Sequence, residues 1–196
     1  MYKKIILTLA FAMSLFGSDV VKQDSKYLDE SKLNLSDLRI FVGADGAYSH
    51  LKSNERLDAS GYGYSFYAGI PISDLELILK KKNTMTNSLD LDNNSIALNI
   101  PFGGTGSRML YAGVISGNAK VNYKGSTATT YSVVNKKNDG NFYGFHIGKR
   151  YKFSQNFFGR MEFEYLKYNL EAKTTTSKTV DLQNTLDFIY GVEYRF

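Results

Sequence analysis

The sequence predicts an all-β protein, an eight-stranded antiparallel up-and-down barrel. Three observations carry this. Beyond residue 38, apolar side chains recur at every second position, the period of a strand and not of a helix. The connections between these runs alternate between long and short, as in a chain of hairpins. The 196 residues include 15 Tyr and 13 Phe but only 2 Pro, a balance that suits pleated surfaces.

The first element is not part of the barrel. Met1 to Ser18, "MYKKIILTLAFAMSLFGS", opens with Lys3 and Lys4, continues with apolar Ile5–Phe16 and ends on Gly17 and Ser18. That is the pattern of a secretory signal peptide, removed on maturation. It is too short for a permanent membrane helix, which needs about 20 apolar residues. A polar arm follows over Asp19–Asp37. The leader's two lysines account for two of the +5 formal charges, so the exported chain carries +3. The isoelectric point is about 9.1, but the basic residues are dispersed, and no nucleic-acid partner is expected. The absence of cysteine excludes a disulfide framework, Cys-based zinc sites, thiol catalysis and an acylated N-terminal cysteine.

The barrel is expected over residues 38–196. Its strands are read in order as Leu38–His50, Ala59–Ile72, Leu75–Lys82, Ser95–Phe102, Arg108–Tyr123, Asn141–Phe153, Phe157–Leu170 and Asn184–Phe196. Long connections fall at Leu51–Asp58, Asn83–Asn94, Lys124–Gly140 and Glu171–Gln183. Short ones fall at Ser73–Asp74, Gly103–Ser107 and Ser154–Asn156. All four long loops therefore lie at one end. Pro71 and Pro101 sit at strand ends, where a missing donor costs little.

Alternation gives each strand an apolar and a polar face without saying which points inward. A soluble lipid carrier would turn the apolar face in. A membrane barrel turns it out and fills a narrow lumen with polar groups. The leader favours the second. So does a polar face rich in glycine, serine and ions of both signs, because eight strands leave room only for side chains. Tyrosines near strand ends (Tyr48, Tyr62, Tyr111, Tyr123, Tyr143, Tyr165 and Tyr194) suit interfacial girdles. The reading is a transmembrane barrel with short periplasmic turns and longer extracellular loops. Its lumen is expected to hold a structural charge network of Arg39, Asp45, Glu76, Lys80, Lys120, His146, Arg150, Arg160, Glu162, Glu164, Asp187, Glu193 and Arg195.

The last strand, "LDFIYGVEYRF", alternates Phe188, Tyr190, Val192, Tyr194 and Phe196. With the opening "RIFVGADGAYS", it resembles the small bacterial outer-membrane β-barrels of the OmpA/OmpX-like class over residues 38 to 196. The resemblance implies that the terminal strand is read by the outer-membrane barrel assembly machinery. It also implies the outer membrane of a Gram-negative cell, with lipid and lipopolysaccharide as surroundings. No appended peptidoglycan-binding domain is expected.

Candidate chemistry is sparse. His146 lies mid-strand on the polar face beside Arg150, and is read as a lumen hydrogen-bonding residue rather than a proton switch. His50 enters a long loop with Ser53 and Glu55 nearby. Lipid A deacylases resemble this architecture, but their His-x-Ser pattern is absent. The pair Glu162 and Glu164 is read as salt-bridge packing beside Arg160, not as an acid–base pair. "GGTGS" at Gly103–Ser107 lacks the lysine and helix of a phosphate loop. Loop lysines, including Lys52, Lys81, Lys82, Lys124, Lys136, Lys137, Lys173 and Lys178, offer a basic rim for lipopolysaccharide phosphates or host polyanions. The expected role is structural or surface-interactive, in a monomer without catalysis, cofactor or metal. The alternatives are a narrow pore and a lipid A-modifying enzyme.

Overall fold

Residues 40–53, 58–102, 108–124, 137–173 and 179–196 are described by the computed structural model, with side chains except at 108, 137 and 171–181. They form eight strands: β1 (Phe41–Ser53), β2 (Ala59–Ile72), β3 (Leu75–Thr86), β4 (Leu89–Phe102), β5 (Arg108–Tyr123), β6 (Lys137–Lys152), β7 (Phe157–Lys173) and β8 (Thr179–Arg195). Each pairs antiparallel with the next, and β8 pairs with β1, closing an up-and-down barrel. The seam runs from Phe41↔Arg195 to Ser53↔Leu182. It is continued by the Phe196 amide, which donates to the Ile40 carbonyl at 3.0 Å. Closure removes the bare edges that a sheet otherwise presents.

The register sets the lean of the strands. The row of paired residues that starts at Phe41 passes Gly69, Ile78, Ala97, Ile115, Gly144, Leu166 and Thr185, and returns to β1 at Leu51. That is ten residues further along, so the strands tilt by about 35–45° and each residue adds roughly 2.5 Å of height.

β2 and β5 have the expected bounds. The other six strands differ, mostly by running further toward the loop end, and one loop disappears. The expected long connection Asn83–Asn94 is a two-residue turn, Asn87–Ser88, between β3 and β4. The Thr86 hydroxyl closes it by accepting from the amides of Ser88 (3.1 Å) and Leu89 (2.9 Å) and donating to the Leu89 carbonyl (2.8 Å). Only three loop-end connections therefore exceed two residues: 54–58, 124–136 and 174–178.

In the half of the barrel nearest the short turns, polar side chains point in and apolar ones out. Phe66 is 60% exposed and Leu98 36%, whereas Arg160 and Glu162 are 3% and 2% exposed. Toward the loop end the two faces exchange character. Leu51, Leu89, Leu91, Val121, Tyr123, Phe142, Leu166, Leu170 and Leu182 turn inward and pack into one buried apolar cluster. Outside them lie Lys52, Asp90, Asp92, Asn118, Lys120, Asn122, Lys167 and Asn169. The exchange happens within single strands. On β7, Phe163 and Tyr165 face out while Leu166, Tyr168 and Leu170 face in.

A candidate functional site in the lumen and at the outer rim

The lower lumen is built by inward positions of all eight strands, β4 adding Asn99. Glu76 on β3 accepts two hydrogen bonds from Arg150 on β6 (3.1 and 2.6 Å) and one from Arg195 on β8 (2.7 Å). Glu193 completes a ring, 2.7 Å from Arg195 Nε and 3.3 Å from Arg150 Nε. A second layer lies above it. Arg160 binds Glu162 at 2.6 Å and stands 3.5 Å from Asp45, which also accepts from the Ser65 hydroxyl at 2.9 Å. Lys80 joins Glu162 (3.2 Å) to Glu164 (2.9 Å). Lys82 joins Glu164 to Asp187. Two tyrosines tie in the layers: Tyr67 donates to Glu193 at 3.2 Å and Tyr111 to Glu162 at 2.9 Å.

These groups are buried, so the attraction within each pair must offset a large desolvation cost. The geometry meets that demand by sharing. Each lysine serves two carboxylates, and the guanidinium groups of Arg160 and Arg150 lie 4.4 Å from the rings of Tyr67 and Tyr111. Two glycines make room for those rings. A Cβ at Gly43 would stand 2.1 Å from the Tyr67 ring, and one at Gly148 2.3 Å from the Tyr111 ring.

Of the residues expected in the lumen, Asp45, Glu76, Lys80, His146, Arg150, Arg160, Glu162, Glu164, Asp187, Glu193 and Arg195 are brought together there. Arg39 falls outside the described residues. Lys120 is a correction: it points outward and is exposed, opposite Asp139 on β6. It lies in the upper part of β5, where the inward positions are taken by Ala119, Val121 and Tyr123. For the same reason Tyr123 faces the lumen and not an outer girdle; Tyr111, low on the same strand, also points inward, against Arg150 and Glu162. Lys82, read as a loop charge, is 3% exposed inside the barrel. Parity with Lys80 was the signal that finds it. Phe188, Tyr190, Val192, Tyr194 and Phe196 of the terminal segment all lie on the outer face of the barrel.

His146 meets Asn99 at 2.5 Å. Together with Glu162 and Glu164 it offers ligand-type atoms within 4.8 Å. Both carboxylates already accept from the Lys80 ammonium, so a side-chain cation stands where a metal ion would have to compete. On the outer face, His50 Nδ1 contacts the Ser60 hydroxyl at 3.1 Å. Ser53, by contrast, is buried inside, and Glu55 lies outside the described residues. A serine beside a histidine is two parts of a nucleophile relay that needs a third to orient it.

Neither a protein-family profile nor any curated protein matches the chain. Solved structures do. Neisserial surface protein A has a TM-score of 0.66 at 16% identity, covering 80% of this chain and 97% of its own. Outer membrane protein H of Pseudomonas aeruginosa has a TM-score of 0.53 at 18% identity, covering 80% and 99%. Ail, the attachment invasion locus protein of Yersinia pestis, has 0.52 at 16% identity, covering 81% and 99%. The chain thus has the fold of the small eight-stranded outer-membrane β-barrels.

Proposed function

We propose that this protein is a monomeric outer-membrane barrel that acts at the cell surface through its outer rim, and is neither a channel nor an enzyme. The observation that carries the reading is the exchange of polarity along the strands. A wall with hydrocarbon outside needs a polar filling, and a wall with water outside needs an apolar one. On β8 the outer apolar face runs from Leu186 to Phe196, about 25 Å of height and the band expected of such barrels. Above it the barrel stands in water on an apolar core. In this reading residues 1–18 are a cleaved leader, 19–37 a periplasmic arm, and the aromatic face of β8 the feature read by the assembly machinery.

Ion pairs below and the apolar cluster above block the lumen in series, which argues against a pore. Surface contact falls to the rim, where the longest connection is 124–136. Lys124, Lys136 and Lys137 bracket it, and a sulfated or phosphorylated polyanion is the class of ligand that such lysines favour. A structure of Ail is a complex with the heparin analogue sucrose octasulfate, which lends that class support. Replacing 124–136 with a two-residue turn tests the reading: binding of cells to immobilised heparin is expected to fall while the barrel still folds. Unchanged binding overturns the loop assignment. Planar bilayers are expected to show no conductance steps. Lipid A mass spectra are expected to match with and without the protein, and a lost acyl chain would revive catalysis at His50 and Ser60.

A further inference from the structure

The outer apolar band is not equally tall all round. Rows of paired residues climb by ten residues per turn, so positions of equal height are found by stepping down a little more than one residue per strand. At the height of Tyr48 on β1, the outward side chains are Tyr64 on β2, Tyr143 on β6, Tyr165 on β7 and Leu186 on β8. On β3 to β5 the same height carries Asn83, Asn94 and Ser116, with Lys81 just below. Apart from Met85 at the very top of β3, the highest outward apolar residues there are Leu79, Ile96 and Val114, about three residues or roughly 7 Å lower. The lower rims match: Phe102 on β4 stands level with Phe157 on β7.

Chemistry divides along the same line. The exposed outer aromatics lie on β1, β2 and β6–β8 and the connections beside them, among them Tyr62, Phe66, Phe145, Phe163 and Tyr190. On β3–β5 only Phe102, at the bottom, is an outward ring among the described residues; below the polar positions the face is Leu, Ile, Ala and Val, and Met85 stands above them on β3.

We propose that the β3–β5 face is a docking surface for phosphate-bearing headgroups of the outer leaflet, which descend there along a locally thinned bilayer. The inference rests on the membrane reading above. The Asn83 amide donates to the Tyr64 hydroxyl at 3.0 Å and the Ser116 hydroxyl to the Phe142 carbonyl at 3.2 Å, but hydrocarbon at full thickness would still bury the remaining polar atoms of Asn83, the Asn94 amide and the Lys81–Asp92 pair, which is 3.8 Å apart and more than one-third exposed on both sides. Leaving such groups unsolvated costs far more than compressing lipid by a few ångströms. A second copy is disfavoured as occupant, because aliphatic side chains are no greasier than acyl chains and nothing drives two such faces together in lipid. Lysine, amide and hydroxyl groups instead match what headgroups need: a cation for phosphate and donors for ester and hydroxyl oxygens.

The chain has no cysteine, so single nitroxide labels report cleanly. Full-length protein refolded into phosphatidylcholine vesicles would carry one label at Ser116→Cys or at Phe188→Cys, two positions of nearly equal height. The Ser116 label is expected to be several-fold more accessible to a water-soluble nickel relaxant than the Phe188 label, and less accessible to oxygen. With Lys81 and Asn94 both changed to leucine, the Ser116 label is expected to sink into lipid. Equal accessibility at the two positions overturns the proposal. So does a difference between labels at Phe102 and Phe157, which would show a tilted barrel instead. Dipolar broadening of a Val114→Cys label would show a second copy and equally overturn it. A Tyr190→Cys label open to nickel would sink the membrane reading itself, separately from this inference.

Discussion

Arg150 is fully buried and holds two carboxylates at once, Glu76 and Glu193. Removing it leaves Arg195 as the one cation beside both buried anions among the described residues. Arg150→Met is expected to cost about 3–5 kcal/mol, read as a lower urea midpoint for the barrel refolded in detergent. Truncating an exposed pair such as Lys81–Asp92 should cost no more than about 1 kcal/mol. Gly43 makes a different kind of demand. It lies directly opposite Tyr67 in the β1–β2 register, and the ring occupies the space a Cβ would take. Gly43→Ala is expected to destabilise by about 1–3 kcal/mol through overpacking. Adding Tyr67→Ser should recover part of that loss in the same unfolding assay, because the obstructing ring is gone.

Each strand is two elements joined end to end, with the characters of its two faces exchanged between them. On β4, Leu98 faces outward among apolar neighbours while Leu91 is 2% exposed in the upper cluster. In detergent, Leu91→Ala is expected to cost about 2–5 kcal/mol by leaving a cavity, and Leu98→Ala clearly less. Limited proteolysis should then nick the Leu91 variant near its loop end first. The same division explains what was legible beforehand. Alternation against an apolar exterior is plain in "SIALNIPF" and "RMEFEY", and those segments were placed with the correct face outward. In "LDLDNN" and "AKVNY" the outer face is polar and the inner face mostly apolar, and in "KNTMT" Lys82, Thr84 and Thr86 face inward with Met85 outside. A search for outward grease reads such segments as loop or inverts them, and that is how Lys120 and Tyr123 came to be exchanged. Thr86 was invisible for another reason: a hydroxyl closing a two-residue turn has no periodicity.

At the scale of the barrel, the described residues fill the lumen in layers. Among the described residues the lumen's ion pairs involve five cations and six carboxylates, cross-linking β1, β3, β6, β7 and β8. A single substitution that opens one layer leaves the other in place. Glu76→Ala combined with Leu166→Ala is therefore expected to be needed before any ion current appears in a planar bilayer, and neither change alone should suffice. The barrel's closure, the lumen pairs Arg160–Glu162 and Lys80–Glu164, and the outward terminal aromatics all lie where strand parity placed them. The height of the crown above the apolar band lay beyond parity, because it depends on register summed around eight pairings.

Thr86 and its tight turn leave a dip in the crown between β3 and β4, while the apolar cluster beneath the remaining loops is of the sort that holds up a water-soluble domain. A foreign peptide spliced into 124–136 would therefore stand on a pedestal whose firmness does not depend on which lipids surround the stem. That makes this rim a natural platform for display.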